Sequence, residues 1–289
     1  MMNIIHTMVK NKLKGGHNMT HKMNLFSNYS QFNHLHAPKY FDWVKDGSGD
    51  INVFSDDYVR LHHNTKDGKP KVAMLIEPRT IQPKVYEWIE QHADEFDLIF
   101  THDEKILKLP NAKYIAFMQW YKTYPDTPKT KNISMVCSDK TLCEEHKMRQ
   151  KLADTLGDKV DHYGLYKGGK YCDYYDCRAE YKFEIVVDNS SSPRWLSEKI
   201  ANPLASKTVP IYVGNILLPK SLDIEVTGMI LVDDIEEAVE TVDMILKEPD
   251  VWYNDRLEEI EHNYKAIQKH QVFEDWFWLT YKDLLESLL

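Results

Sequence analysis

Short apolar runs alternate along the chain with stretches of helical periodicity. The runs are four or five residues long, which is typical of strands buried on both faces of a parallel sheet. They lie at Val72–Ile76, Asp97–Phe100, Tyr114–Met118, Ile133–Cys137, Phe183–Val187, Val209–Val213 and Met229–Val232. The alternation predicts an α/β fold.

Three of the intervening stretches carry helix start or stop signals. Pro83–Ala93 opens with a proline, a residue suited to the first turn of a helix. Leu142–Leu156 ends before Gly157, as many helices do. Asp234–Lys247 begins with a capping aspartate that is followed three residues later by Glu237. We therefore predict a helix in each of these stretches.

A polar stretch with two prolines, Tyr121–Lys131, interrupts the alternation and is typical of a linker. It divides the predicted molecule into a basic tail at 1–22, an α/β domain at 23–128, a second at 129–250 and C-terminal helices at 251–289.

The C-terminal segment carries a stripe of large apolar residues at helical spacing. Its members are Phe273, Trp276, Phe277, Tyr281, Leu284, Leu285 and Leu288. We expect the stripe to pack against the two domains, and a dimer contact is the alternative. The oligomeric state is not indicated by the sequence.

Composition and charge narrow the choice of partners. The 289 residues include 36 Lys and Arg against 45 Asp and Glu, a net charge of −9 that argues against a nucleic-acid partner. The first 41 residues hold five lysines and no other charged side chain. An alternative role for this N-terminal segment is a weak peripheral contact with an anionic membrane. No apolar run approaches the roughly 20 residues that cross a bilayer.

The four cysteines are Cys137, Cys143, Cys172 and Cys177. Their gaps fit neither a paired zinc motif nor a dense disulfide framework. We expect reduced thiols in a cytoplasmic protein, with a Cys172/Cys177 bridge as the alternative.

Polar side chains follow several predicted strands, where ligands of open α/β sheets collect. Glu77 follows five apolar residues and precedes Pro78, so burial would keep its carboxylate available as a base. The alternative for Glu77 is a solvated loop acid. The other strand-end residues are Thr101, His102, Asp103, Ser138, Asp188, Asn189, Gly214 and Asp233.

A second group of residues suits phosphate. Ser197 is the predicted cap of a helix that begins with Glu198 and Lys199, and helix N-termini favour anions. Arg149 offers a second cation, although both cations are alternatively ordinary solvated residues. No two aspartates lie two positions apart, so the D-x-D element that holds manganese in many sugar transferases is absent. The sequence therefore predicts a metal-independent site.

These residues carry a family resemblance. Tyr181–Ile200 and Thr208–Gly214 resemble the donor-binding signature of the family 10 α-1,3/1,4-fucosyltransferases, which runs Y-K-F, a strand, E-N, an aromatic, T-E-K-I and V-P-I-Y-x-G. Val160–Gly164 is similar to the family's V-D-x-Y-G turn, and Glu77 within Met74–Pro78 matches the position of its proposed catalytic base.

The resemblance implies a GT-B arrangement, in which two Rossmann-like α/β domains face each other across a cleft. The C-terminal domain would hold GDP-fucose, and the N-terminal domain would carry the glycan acceptor and the base. The residues implied for the donor are Arg149 and Lys199 at the pyrophosphate, Glu198 at the ribose, Asn189 in the donor site, Trp195 beside the nucleotide, and more weakly Asp188, Ser138 and Lys140.

The expected function is an inverting, metal-independent transfer of fucose from GDP-fucose, without a further cofactor. Asp188 stands for the family's glutamate, Ser197 for its threonine, and Pro203 falls inside the helix, where proline costs about 3 kcal/mol. These departures keep alternatives open, namely another nucleotide sugar, an inactive carbohydrate-binding relative and an unrelated nucleotide-binding enzyme. The apparent lack of a Golgi-type anchor suggests a microbial or viral enzyme.

Overall fold

The computed structural model describes residues 21–28, 38–119, 124–171, 173 and 175–289. Its first sheet is built from six strands in the order β2-β1-β3-β4-β5-β6, all parallel. The strands are β1 (His21–Phe26), β2 (Phe41–Val44), β3 (Ile51–Ser55), β4 (Lys71–Met74), β5 (Leu98–Thr101) and β6 (Ala112–Tyr114). A 3-10 helix at Asp56–Asn64 and helix α1 (Pro83–His92) connect them.

The second sheet has five strands in the order β11-β10-β9-β7-β8, again all parallel. They are β7 (Lys131–Val136), β8 (Asp161–Tyr163), β9 (Tyr181–Val186), β10 (Val209–Val213) and β11 (Ile230–Val232). Its helices are α2 (Glu144–Leu156), α3 (Glu198–Ala205) and α4 (Ile235–Ile245), followed by α5 (Pro249–Asn254), α6 (Leu257–Ile267) and α7 (Phe273–Glu286).

The two parallel sheets with their helices confirm the predicted α/β class. One predicted strand is wrong. In the run Tyr114–Met118 only the first residue belongs to a strand, the end of β6, and the rest is loop. Ile115 and Met118 are instead buried in a core shared with Leu204 of α3. The run is apolar because it lies at the contact between the two domains.

The apolar stripe of α7 packs against the first domain, as expected. Phe277 is fully buried, with its ring centroid 4.9 Å from Phe100 and 6.2 Å from Phe41. Trp43 donates its indole N–H to Glu274 at 2.7 Å. The C-terminal helix thus returns to the sheet where the chain began and holds the two domains together.

Two predicted helix caps are present. Asp234 accepts a hydrogen bond from the backbone N–H of Glu237 at 2.9 Å, and Ser197 accepts one from Lys199 at 3.2 Å. Pro203 does lie inside α3, which ends at Ala205. The missing hydrogen bond therefore falls in the last turn, where it affects the start of α3 least.

The cysteine expectation is partly wrong. Cys137 and Cys143 are buried free thiols, but Cys177 is disulfide-bonded. Cys172 and the basic tail up to residue 20 lie outside the described residues. Among the helices that are described, none combines the length and apolarity needed to traverse a bilayer.

Candidate functional site

A cavity of about 580 Å³ opens where the carboxyl ends of strands from both sheets meet. Ile76, Glu77 and Phe117 come to it from the first domain. Eight of the nine residues proposed from the sequence line this one cavity. They are Glu77, Ser138, Lys140, Arg149, Asn189, Trp195, Glu198 and Lys199.

Asp188 is the ninth residue, and it lies behind the cavity wall. Its carboxylate accepts hydrogen bonds from the Trp195 indole N–H at 2.8 Å, the Ser197 hydroxyl at 2.9 Å and the Asn189 backbone N–H at 2.8 Å. The Asp188 side chain is 0% exposed, and Lys199 Nζ lies 3.7 Å from it. Asp188 therefore positions four residues of the site.

The start of α3 presents a charged pair to the cavity. Lys199 Nζ donates to Glu198 Oε1 at 2.9 Å, and the lysine side chain is 25% exposed. Burial alone would lower the pKa of Lys199, but the charges of Glu198 and Asp188 raise it above its ordinary value. Burial opposes ionisation of Glu198 as well, yet the adjacent ammonium holds its pKa below the usual range. Both groups are charged at neutral pH, and the ammonium is available to an anion.

Arg149 lies on α2 and is fixed at the end of β9. Its Nε donates to the Val187 carbonyl at 3.0 Å, and its Nη2 donates to Asn189 Oδ1 at 3.0 Å. The same amide oxygen accepts a hydrogen bond from His146 Nε2 at 3.2 Å. His146 Nε2 carries the ring proton because His146 Nδ1 accepts a hydrogen bond from the Leu142 backbone N–H at 3.1 Å. Burial, and then the charge of Arg149, lower the pKa of His146. His146 is thus a neutral member of the site.

His146 was missed in the sequence reasoning. It lies three residues before Arg149 on one helix, so helical spacing places the two side chains on the same face. That spacing was the available signal.

Glu77 faces the cavity from the loop after β4. Its backbone N–H donates to Asp56 Oδ1 at 3.2 Å, and its carbonyl accepts from the Tyr86 hydroxyl at 2.7 Å. No side chain in the described part of the chain donates to its carboxylate. Burial, and next the charge of Glu198, raise the pKa of Glu77. A carboxylate with a raised pKa and no partner is a stronger base than a solvated one.

Trp195 joins the domains and is not an open stacking platform. Its ring is 4% exposed and meets His102 of the first domain edge-on, with the ring centroids 4.5 Å apart. Burial lowers the pKa of His102 to about 4, so this histidine is neutral at pH 7. Thr80 also crosses the boundary and donates its hydroxyl to the Asn189 carbonyl at 2.8 Å.

A buried ion pair that lines the cavity was also missed. Arg178 donates from Nη2 to Glu184 Oε1 at 2.6 Å, and both side chains line the cavity. Glu184 and Lys182 both lie within β9, whose residues are all buried, and charged residues are unusual in such a strand. That exception to the strand pattern was the signal that the sequence offered.

Within the described ranges, no three His, Cys, Asp or Glu side chains gather as metal ligands. The charged groups that line the cavity are instead four cations, Lys140, Arg149, Arg178 and Lys199, and three carboxylates, Glu77 of the first domain and Glu184 and Glu198 of the second; amides and hydroxyls complete the lining. This set of groups can hold a phosphorylated ligand and accept a proton beside it.

Residues 126–248 match the model for the family described as glycosyltransferase family 10 (fucosyltransferase), C-terminal domain. No curated protein matches the sequence of the chain.

Several solved structures share the fold. An α1,3-fucosyltransferase is 14% identical, with 90% of this chain and 89% of that chain covered at a TM-score of 0.57. An α1,3-fucosyltransferase with GDP-fucose is 13% identical, with coverage of 86% and 90% and a TM-score of 0.53. The sucrose-phosphate synthase of Thermosynechococcus elongatus is 14% identical, with coverage of 84% and 75% and a TM-score of 0.55. At these identities the likeness shows the GT-B fold. Residues 126–248 thus match the C-terminal domain of family 10 glycosyltransferases, and the chain is a glycosyltransferase of GT-B fold.

Proposed function

We propose that the protein transfers fucose from GDP-fucose to a hydroxyl of a glycan acceptor, with inversion at the anomeric carbon and without a metal ion. The observation that carries this proposal is the single cavity that Glu77 shares with Arg149 and Lys199. The family match of the second domain supports the reaction class, and the fold likeness to a structure solved with GDP-fucose supports the donor.

The leaving group needs positive charge. When the bond between the anomeric carbon and the phosphate oxygen breaks, negative charge develops on the diphosphate. Arg149 and Lys199, together with the backbone N–H groups at the start of α3, would stabilise that charge. Ser138 and Lys140 line the same cavity and would add polar contacts. These groups would serve the purpose that a metal ion serves elsewhere.

The acceptor needs a base. Its hydroxyl oxygen would attack the anomeric carbon from the face opposite the diphosphate, and its proton would pass to the Glu77 carboxylate. The new bond is a glycosidic C–O bond, and the products are fucosylated glycan and GDP. Attack from the opposite face inverts the anomeric centre.

The other proposed donor residues complete the site. Glu198 would accept hydrogen bonds from the ribose hydroxyls because its carboxylate is ionised at the helix start. Asn189 would hold the orientation of Arg149, to which its amide oxygen is bonded. Trp195 would close the cavity wall between the domains.

The Glu77→Gln variant tests this proposal. It keeps the size of the side chain and removes the base, so GDP should bind as it does to wild type while turnover falls about 10²- to 10⁴-fold. Glu258→Gln, a change at an exposed position on α6, is the matched control and should not alter turnover. Wild-type turnover should also survive EDTA. Near-normal turnover of Glu77→Gln would refute the role of Glu77, and loss of activity in EDTA would refute metal independence.

Asp188 and Pro203 differ from the family signature, and two alternative functions are therefore considered. A different nucleotide sugar would use the same diphosphate contacts, and a panel of donors separates it from GDP-fucose. An inactive carbohydrate-binding relative would release no GDP in the presence of any acceptor.

A further inference from the structure

A buried aspartate holds the backbone of the loop that carries Glu77. Asp56 is the first residue of the 3-10 helix after β3 and is only 2% exposed. Its Oδ1 accepts hydrogen bonds from the backbone N–H of Ile76 at 2.9 Å and from that of Glu77 at 3.2 Å. One buried oxygen therefore fixes two successive amides of the loop after β4.

Tyr86 of α1 fixes the other side of Glu77. Tyr86 is fully buried, and its hydroxyl donates to the Glu77 carbonyl at 2.7 Å. A hydroxyl has one proton to donate, so His102 Nε2, which lies 3.1 Å from the Tyr86 oxygen, is the donor in that contact. The two peptide units that flank the Glu77 Cα are thus each held by a buried side chain of another element.

The Glu77 carboxylate depends on this support. Among the residues that the structure describes, none donates a hydrogen bond to it, and the bonds of Glu77 are those of its backbone. The two peptide units set the direction of its Cα–Cβ bond, and only side-chain rotation remains. A general base must come within about 2.6–3.2 Å of the proton that it takes, and a misplacement of about 1 Å can cost 10²-fold in rate.

The backbone of Asp56 supports a role beyond folding. Its φ is +45°, a left-handed conformation that is uncommon outside glycine, although aspartate tolerates it better than most residues. Such backbone persists where surrounding contacts impose it, and it is concentrated at functional sites. Glycine would fit the conformation more readily but has no oxygen for the Ile76 and Glu77 N–H groups. The use of aspartate here indicates that the acceptor oxygen matters.

We propose that Asp56 and Tyr86 are positioning residues, which hold the backbone of Glu77 so that its carboxylate reaches the proton of the acceptor hydroxyl. The inference rests on the proposed role of Glu77 as the base. Neither Asp56 nor Tyr86 is among the residues that line the cavity, so each would affect the reaction only through Glu77.

The variants Asp56→Gly and Asp56→Asn test the acceptor oxygen. Glycine and asparagine both accommodate a positive φ, but only asparagine keeps an oxygen at Oδ1. We expect kcat to fall about 10²-fold in Asp56→Gly and less than about 10-fold in Asp56→Asn, because a neutral acceptor forms a bond roughly half as strong. Equal losses of kcat in the two variants, or wild-type kcat in Asp56→Gly, would overturn the inference.

GDP affinity, measured by calorimetry, should equal that of wild type in both variants, because the proposed diphosphate contacts lie in the second domain. The matched control is Asp97→Gly. Asp97 is exposed, and its Oδ2 accepts the Lys71 backbone N–H at 2.7 Å, at the opposite end of β4. This variant should keep the wild-type kcat. A loss of kcat in Asp97→Gly as large as that in Asp56→Gly would mean general damage to β4 and would overturn the inference.

Melting temperatures show whether the variants fold. If Asp56→Gly does not fold, Tyr86→Phe replaces it in the test, since it removes only the hydroxyl that donates to the Glu77 carbonyl. Tyr86→Phe should lower kcat without weakening GDP binding. Wild-type kcat in a folded Tyr86→Phe variant would overturn the inference.

A double variant separates positioning from general damage. If Asp56 acts only through Glu77, Asp56→Gly should cause no further loss of kcat in a protein that already carries Glu77→Gln. Losses that add in full would overturn the inference.

The acid limb of kcat/KM gives a second readout. Burial is the main cause of the raised pKa of Glu77, and the nearby charges that modify this pKa are those of Glu198 and Asp188, which raise it, and of Lys199 and Lys140, which lower it. The glycine variant leaves these four charges unchanged. A less firmly held Glu77 is more solvated, so its pKa should fall and the acid limb should move to lower pH. An acid limb that stays at the wild-type pH would overturn the inference.

The two proposals fail in different ways. Near-normal turnover of Glu77→Gln would refute the base and the inference that rests on it. Slow turnover of Glu77→Gln combined with wild-type turnover of Asp56→Gly would overturn the inference alone.

Discussion

At the scale of single residues, the site depends on a carboxylate that does not touch the cavity. Asp188 accepts hydrogen bonds from Trp195, Ser197 and Asn189 and lies 3.7 Å from Lys199 Nζ. The family resemblance implied that Asp188 belongs to the donor site, where it stands for the family's glutamate. Its burial and its number of partners depend on how the loop after β9 folds back onto α3. This fold of the loop depends on contacts between residues that are far apart in sequence, so no local sequence pattern could predict it.

Asp188→Asn should weaken both stability and nucleotide binding. The variant keeps the size of the side chain but loses the charge that supports three hydrogen bonds and the Lys199 ammonium. We expect a loss of about 1.5–3 kcal/mol in the free energy of unfolding, the worth of a hydrogen bond to a buried charged group, and weaker GDP binding. Urea unfolding and GDP titration measure the two effects.

Asp243→Asn is the control for this variant. Asp243 pairs with Lys159 at the surface, where ion pairs contribute roughly 0–1 kcal/mol. Equal effects of Asp188→Asn and Asp243→Asn would show that Asp188 has no special role.

The pH dependence of activity should report Glu77. Burial raises its pKa above the ordinary 4.5, and only the ionised carboxylate can accept the acceptor proton. On the acid side, kcat/KM should therefore fall as the pH decreases through a value above 4.5, and the ionised form should be fully present at higher pH. A pH–rate profile of wild type and Glu77→Gln measures this. An acid limb that persists unchanged in the variant would assign it to another group.

At the scale of elements, the sequence was most informative where patterns are local. Asp234 and Ser197 were predicted as helix caps, and both accept the expected hydrogen bonds. Strands β1, β2, β3 and β8 were missed, and in β1 and β3 the reason is that they carry polar residues inside. Asn24 of β1 and Asn52 of β3 are buried and bonded to each other, with Asn24 Nδ2 2.8 Å from Asn52 Oδ1. The hydrogen bond between the two strands allows these polar residues to be buried in the core. The periodicity of a single strand does not reveal this pairing, because the partner lies on another strand.

The two capped helices allow a comparison of stability with binding. Ser197→Ala and Asp234→Ala each remove an N-cap, which is worth about 1 kcal/mol in the free energy of unfolding. Ser197→Ala should cost more than this, because it also removes the hydrogen bond that the Ser197 hydroxyl donates to the buried Asp188 carboxylate. Only Ser197→Ala should also weaken GDP binding, because α3 begins at the cavity and α4 does not. Chemical unfolding and calorimetry check the pair. Equal GDP affinities in the two variants would contradict a role for the start of α3 in binding.

At the scale of the whole molecule, the domains are held together by α7 and by contacts beside the cavity. The helical spacing of the apolar stripe predicted that α7 packs against the domains, whereas no sequence pattern predicted the contacts beside the cavity. The GT-B arrangement followed from the resemblance of Tyr181–Gly214, and the pattern of apolar runs established only the α/β class. Glu77 and Lys199 are 122 positions apart in sequence, and only the facing of the two domains brings them to one cavity.

Phe277→Ala should destabilise the whole protein. Phe277 is fully buried between Phe41 and Phe100, and removal of a buried phenylalanine costs about 3–5 kcal/mol. Leu279→Ala on the same helix is the control, since Leu279 is 63% exposed. Thermal unfolding should show a clear loss only for Phe277→Ala. Similar losses of stability in both variants would mean that the packing of Phe277 does not stabilise the first domain.

The central claim is that this cavity transfers fucose from a guanine nucleotide. Its most direct test is incubation of the protein with GDP-fucose and a panel of glycan acceptors, with parallel incubations in other nucleotide sugars, followed by mass spectrometry of the glycans. We predict that one acceptor class gains a single deoxyhexose, that GDP is released in equal amount, and that the other donors give no product. Product from a different nucleotide sugar, or none from any donor and acceptor, would contradict the claim.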